Sequence, residues 1–181
     1  ALGMKDTGYQ PAATIHQRVA PTELHEGVWL RGTVHDPRAR LLGGVAGHAG
    51  LFSTASDLSV YAQAMLGGGT LHDATILASS TVREMTRARD VAGNLRGLGW
   101  DMRSQYSRNR AELFSPRAFG HGGFTGTAIW MDPELELFFI FLSNRLHPDG
   151  KGYVNDLAGR IAAIATAAIR PQSETMPEVK L

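Results

Sequence analysis

The sequence predicts an α+β fold, an α/β sandwich in which an antiparallel sheet is flanked by helices. Three observations predict it. Strand-length segments crowd the second half, over residues 98–102, 118–122, 127–132 and 137–143, with Asp132-Pro133 marking a hairpin turn between the last two. Helical patterns stand on either side of this block, two before it and one after. The run Phe138-Phe139-Ile140-Phe141-Leu142 is apolar without alternation, which suits a central strand buried on both faces.

In chain order, residues 1–52 read as loop-rich, with short extended pieces around 15–22 and 27–35. The glycine-dense run over 43–50 is incompatible with regular structure, and it is not a phosphate-binding loop because no Lys-Ser or Lys-Thr follows. A helix opens at Thr54, which can cap it, with Asp57 three residues on suiting the reciprocal capping position and the positive helix end. Leu58, Tyr61, Ala62 and Met65 share one face of it, and Gly67-Gly68-Gly69 stops it. A second short helix is expected over about 80–87, capped by Ser79 or Ser80, with Val82 and Met85 inward. After the strands, a last helix runs over about 153–169. Its apolar stripe is Val154, Leu157, Ala158, Ile161, Ile164, Ala165 and Ala168. Pro171 ends it. Residues 1–170 thus form one unit, and 171–181 read as a polar tail or linker.

The stretch 119–145 carries the chemistry. His121 stands where the chain has been stripped of side chains. Gly122 and Gly123 leave the backbone bare, so another molecule can approach the strand edge closely. A polar side chain beside open N–H groups can hold an extended, carbonyl-bearing substrate.

His121-Gly122-Gly123 resembles the third signature of the serine β-lactamase and penicillin-binding-protein family, a Lys-Thr-Gly or, in esterase-like members, a His-Thr-Gly on the strand lining the active site. Three more blocks resemble the same family in the same order: Leu2-Gly3-Met4-Lys5-Asp6-Thr7, the segment 43–58, and Arg96-Gly97-Leu98-Gly99-Trp100. The likeness points to the esterase and D-alanyl-D-alanine-peptidase side of the family, class C β-lactamase-like enzymes included. It implies the β-lactamase/transpeptidase fold. One departure is Gly122, where the family more often has Thr or Ser; this removes a hydroxyl that would help bind a substrate carboxylate.

The nucleophile is not in this sequence. The family uses Ser-x-x-Lys, and no serine here is followed three places on by lysine; the only lysines are Lys5, Lys151 and Lys180. No Gly-x-Ser-x-Gly elbow occurs. Tyr153-Val154-Asn155 fits the second signature, Tyr-x-Asn, but follows the His121 strand instead of preceding it, and reads as the start of the last helix. The expectation is therefore the C-terminal half of a serine hydrolase, without the N-terminal strands and nucleophile helix.

What the resemblance implies follows from that. A serine from the N-terminal half of the same hydrolase, the expected partner, attacks an ester, peptide or β-lactam-like carbonyl to give an acyl-enzyme. His121 donates a hydrogen bond or charge, and the backbone N–H of Phe124 is the second oxyanion donor. Gly122 and Gly123 let the substrate lie against the strand, and His35 and His48 shape the loop bordering the cleft. No cofactor is implied, and a periplasmic or extracellular home is favoured. In the family's fold the strand matching 138–142 lies mid-sheet, one neighbour coming from the N-terminal part. The rival function is a noncatalytic binding module of the same fold.

Composition excludes several other classes. A net charge of +1 with scattered basic residues implies no attraction to nucleic acid or membrane surfaces. The absence of cysteine removes disulfides, thiolate metal sites and a cysteine nucleophile. No apolar run reaches the length of a membrane span. His35, His48 and His121 could converge on one site, but no tight ligand spacing supports a metal centre. Trp100 and Trp130 read as core residues, His147-Pro148 as a turn, and Asn144 and Arg145 as solvated turn residues.

Overall fold

The computed structural model describes residues 1–169, so the expected helix stop at Pro171 and the tail 171–181 lie outside the described residues. The first 52 residues hold short pieces only: β1 (Gly8–Tyr9), a 3-10 turn over Ala13–Arg18, the hairpin of β2 (Leu24–His25) and β3 (Val28–Trp29), α1 (Pro37–Leu41), and β4 (Leu51–Phe52), which pairs antiparallel with β1. The extended piece expected around 15–22 begins instead as the 3-10 turn. A lone extended segment leaves its N–H and C=O groups unpaired; Ile15 N–H to Ala12 O and Val19 N–H to His16 O close them locally. α1 was not expected. Asp36-Pro37 reads as a turn, yet here Asp36 caps a helix, accepting from Ala39 N–H at 2.8 Å, with Pro37 in its first turn.

α2 (Ala55–Leu66) starts as expected, with the Thr54 hydroxyl accepting from Asp57 N–H. The reciprocal cap does not form. Asp57 Oδ2 instead accepts from Asp6 N–H at 2.9 Å and from the Thr7 hydroxyl at 2.8 Å, tying the Leu2–Thr7 block to the helix. After the small hairpin of β5 (Thr70–Leu71) and β6 (Ala74–Thr75) comes α3 (Ser79–Met85). Its cap position is Ala78 and no side chain caps it; the two serines expected to do so lie inside the helix.

The sheet is six-stranded and antiparallel, built from β7 (Arg89–Val91), β8 (Asn94–Arg96), β9 (Asp101–Arg103), β10 (Phe119–Gly122), β11 (Thr127–Asp132) and β12 (Leu137–Leu142), in the spatial order β12-β11-β10-β9-β8-β7. α2 and α3 cover one face, where Ala62, Met65 and Val82 meet Met102, Phe119 and Met131. α4 (Asn155–Ile169) covers the other, where Ala162 joins Phe114, Ala118, Ala128 and Trp130. Trp130 is fully buried, and Trp100 packs partly buried against the first cluster.

One expectation holds in part and another fails, both over packing. β12 is mid-sheet only in the fold the resemblance implies, where one neighbour comes from the N-terminal part. It has apolar neighbours on both faces, Phe138 in one cluster and Phe139 and Phe141 in the other, but among the described residues it pairs only with β11. It is the sheet's edge, and no residue of it is fully buried. The stripe of α4 is also turned. The buried residues are Ala158, Gly159, Ala162 and Thr166, while Leu157, Ile161 and Ile164 are 51%, 40% and 68% exposed. The reason is close approach. A Cβ on Gly159 would lie 2.6 Å from Arg108 O and 3.2 Å from Arg110 O, so the small side of the helix faces the 3-10 turn over Ser107–Asn109.

Candidate functional site

β10 brings His121 to an exposed position opposite Ile129 of β11. Its imidazole is held at both nitrogens. Nδ1 lies 2.8 Å from Gly122 O, and Nε2 lies 3.2 Å from a guanidinium nitrogen of Arg96, on β8. Arg96 in turn sits 3.6 Å from Oδ1 of buried Asp101, whose other oxygen accepts from the Ser107 hydroxyl at 2.9 Å.

Gly122 is extended backbone whose missing side chain has a steric cause. A Cβ there would lie 2.2 Å from Nδ2 of Asn109. Asn109 cannot easily withdraw, because it is buried and its Oδ1 accepts from the indole N–H of Trp130 at 2.9 Å. Gly123 N–H donates to Thr127 O at 2.6 Å and Gly123 O accepts from Gly126 N–H, closing the tight turn between β10 and β11. Phe124 is left at its tip. Among the described residues its N–H donates no hydrogen bond. Its carbonyl accepts from Arg145 Nε at 2.6 Å, its ring lies 4.3 Å beneath the Arg145 guanidinium, and the His35 ring stacks at 5.6 Å. The turn tip is thus braced while its amide stays open.

His35 Nε2 lies 3.2 Å from a Glu23 oxygen, and His48 Nε2 lies 3.0 Å from Asp36 Oδ1. The Ala39 N–H, and after it His48, hold the Asp36 carboxyl below the usual carboxylate range. His35, His48, Gly123, Phe124 and Asn144 line one open cleft of about 960 Å³. His121 and Gly122 do not line it; His121 is turned toward Arg96. Of the three histidines, two therefore share a cleft with the open turn, and the third stands on the strand that leads into it.

Asn144 and Arg145 are not the solvated turn residues expected. Asn144 donates to Pro21 O, and Arg145 also donates to Gly152 O at 3.1 Å. Neither Arg145 nor Arg96 was singled out from the sequence as a partner of the motif, because each meets it through a side-chain contact between segments more than twenty residues apart in the chain. Among the described residues no group of three His, Asp, Glu or Cys side chains is arranged to hold a metal, and no helix is long and apolar enough to cross a membrane.

A family model described as Beta-lactamase matches residues 1–164. A candidate D-alanyl-D-alanine carboxypeptidase from Salmonella typhi is 37% identical over 164 residues, covering 81% of this chain and 38% of that protein. Among solved structures, a beta-lactamase from Mycobacterium bovis is 27% identical with a TM-score of 0.51, covering 66% of this chain and 46% of that one. A penicillin-binding-protein homologue from Caulobacter crescentus shares the fold at a TM-score of 0.59 and 19% identity, covering 91% of this chain and 49% of that one. The chain spans 38% of the length of the curated relative it matches.

Proposed function

This chain belongs to the beta-lactamase family, whose members are of serine-hydrolase type, and on that premise we propose that it is the C-terminal portion of an acyl-transferring serine hydrolase of esterase, peptidase or β-lactamase type. The observation that carries the reading is the end of β10: an exposed His121, two glycines, and an unengaged N–H at Phe124. In this reading a serine hydroxyl from outside these 181 residues adds to a substrate carbonyl. The resulting oxyanion is met by the Phe124 N–H, the leaving group departs, and water then releases the acyl group. Gly122 and Gly123 let the substrate lie against the strand, His121 contributes a hydrogen bond or charge, and His35 and His48 border the cleft.

The partner in this reading is the N-terminal portion of the same hydrolase, and the substrate is a small acyl, peptide or β-lactam-like compound. The length of the relatives, the absence of Ser-x-x-Lys and the open edge of β12 support that partner. The carboxypeptidase name carried by the Salmonella typhi relative supports a peptide substrate.

Two measurements test the reading. The 181-residue chain alone should hydrolyse neither nitrocefin nor p-nitrophenyl esters, and a fluorophosphonate should label none of its serines. Stoichiometric labelling of a serine in this chain would place the nucleophile here and end the proposal. In the complete enzyme, His121→Ala should lower kcat/KM by about 10- to 1000-fold, the range for losing one electrostatic or proton-transfer contribution. Ester hydrolysis unchanged by that substitution would remove His121 from the site and favour a binding module.

A further inference from the structure

The two contacts of His121 fix its protonation pattern. Gly122 O can only accept, so Nδ1 carries the hydrogen; the Arg96 guanidinium can only donate, so Nε2 presents its lone pair. The ring is thus the neutral Nδ1–H tautomer. The fixed positive charge beside the strand is the Arg96 guanidinium. Three neighbouring strands cooperate: β10 carries the imidazole, β8 the guanidinium, and β9 the buried carboxylate of Asp101, which steadies Arg96 from behind at 3.6 Å. The β8–β9 register shifts between Leu95 and Arg96, with Met102 the extra residue on β9, so that Arg96 stands opposite Asp101.

We infer that Arg96 is the positioning residue of the site: it locks His121 as an acceptor at Nε2 and supplies the permanent cation next to the active-site strand. The inference rests on the reading of His121 as an active-site residue. In this arrangement the Nε2 lone pair of His121 is taken by the Arg96 guanidinium, and the cation beside the strand is Arg96 rather than the imidazole.

The test reads the tautomer directly. The chain, 15N-labelled at histidine, is measured by magic-angle-spinning NMR, which tolerates self-association, at about pH 8.5, above the ordinary imidazole range. The His121 signals are identified by their loss in His121→Gln. The wild type should show a protonated Nδ1 and an unprotonated Nε2. Arg96→Met, which keeps the apolar stem, should shift the ring toward the Nε2–H form, whereas Arg96→Lys, which keeps a cationic donor, should retain Nδ1–H. In the complete enzyme Arg96→Met should lower kcat/KM by on the order of 10- to 100-fold, as for a misplaced catalytic group, with Arg96→Lys recovering part of it. A protonated Nε2 in the wild type overturns the inference without any variant, whether or not Arg96→Met folds. So does an unchanged tautomer in Arg96→Met, or, where His121→Ala itself lowers kcat/KM, an unchanged kcat/KM in Arg96→Met. If His121→Ala is fully active while the tautomer responds to Arg96 as expected, the active-site reading fails and the Arg96 lock stands.

Discussion

Replacing Asp132 with alanine should destabilise the protein by about 3–5 kcal/mol, seen as a lower urea midpoint at an unchanged m-value. Asp132 is 0% exposed and ends β11. Its carboxylate accepts from Ser115 N–H at 2.6 Å, the Ser115 hydroxyl at 2.8 Å, Glu134 N–H at 3.0 Å and Leu135 N–H at 3.2 Å. One side chain thus closes the turn into β12 and pins the loop that leads to β10. It also offsets buried Arg110, whose guanidinium donates to Ala111 O, Phe114 O and Ser115 O. Burial, and after it Arg103, pushes the Arg110 guanidinium below its usual range; Asp132 and Asp101 act in the opposite sense. Alanine strands the Ser115 donors and leaves that cation less compensated. Ser115→Ala, which removes only the hydroxyl, should cost about 1–2 kcal/mol. Equal losses from the two substitutions would mean that the hydroxyl contact alone carries the effect.

The second large effect concerns association. The isolated chain should self-associate or be poorly soluble, and adding the N-terminal portion of the hydrolase should restore a monomeric complex and activity together. Among the described residues β12 pairs only with β11, which leaves a row of unpaired N–H and C=O groups on an apolar strand that contains Phe139 and Phe141 and ends at exposed Leu142. The exposed face of α4, with Leu157, Ile161 and Ile164, adds an apolar patch of the kind that recruits partners. Sedimentation at high concentration checks this. A cooperatively unfolding monomer of the chain alone would show that neither surface needs covering, and the binding-module reading would then move ahead.

How much of this was legible depends on how local each determinant is. The start of α2 was legible because Thr54 and Asp57 are three residues apart and the cap is made between them. The strand–turn–strand of β10 and β11 was legible because its glycines and apolar runs are contiguous. The hairpin of β7 and β8 was missed: Ala92 takes φ 52° beside Gly93 at 80°, a primed turn without the Asn-Gly or Asp-Gly pair that announces one. Of the stripe expected on α4 only Ala158 is buried, because periodicity favours large side chains, whereas Gly159 and its small neighbours face carbonyls contributed some fifty residues upstream. The His121 motif was legible, but not its partner Arg96, since a cross-strand contact spanning 25 residues leaves no mark in local pattern.

The contact between positions 109 and 122 bears on how this sequence can change over generations. A threonine at 122 cannot appear while Asn109 holds its place, because the two would occupy the same space. Losing Asn109 first strands the indole N–H of fully buried Trp130, a penalty of about 1–3 kcal/mol. Either order passes through a damaged intermediate. The two positions are therefore sterically coupled, and the glycine at the end of β10 is constrained from beneath by the side chain of Asn109.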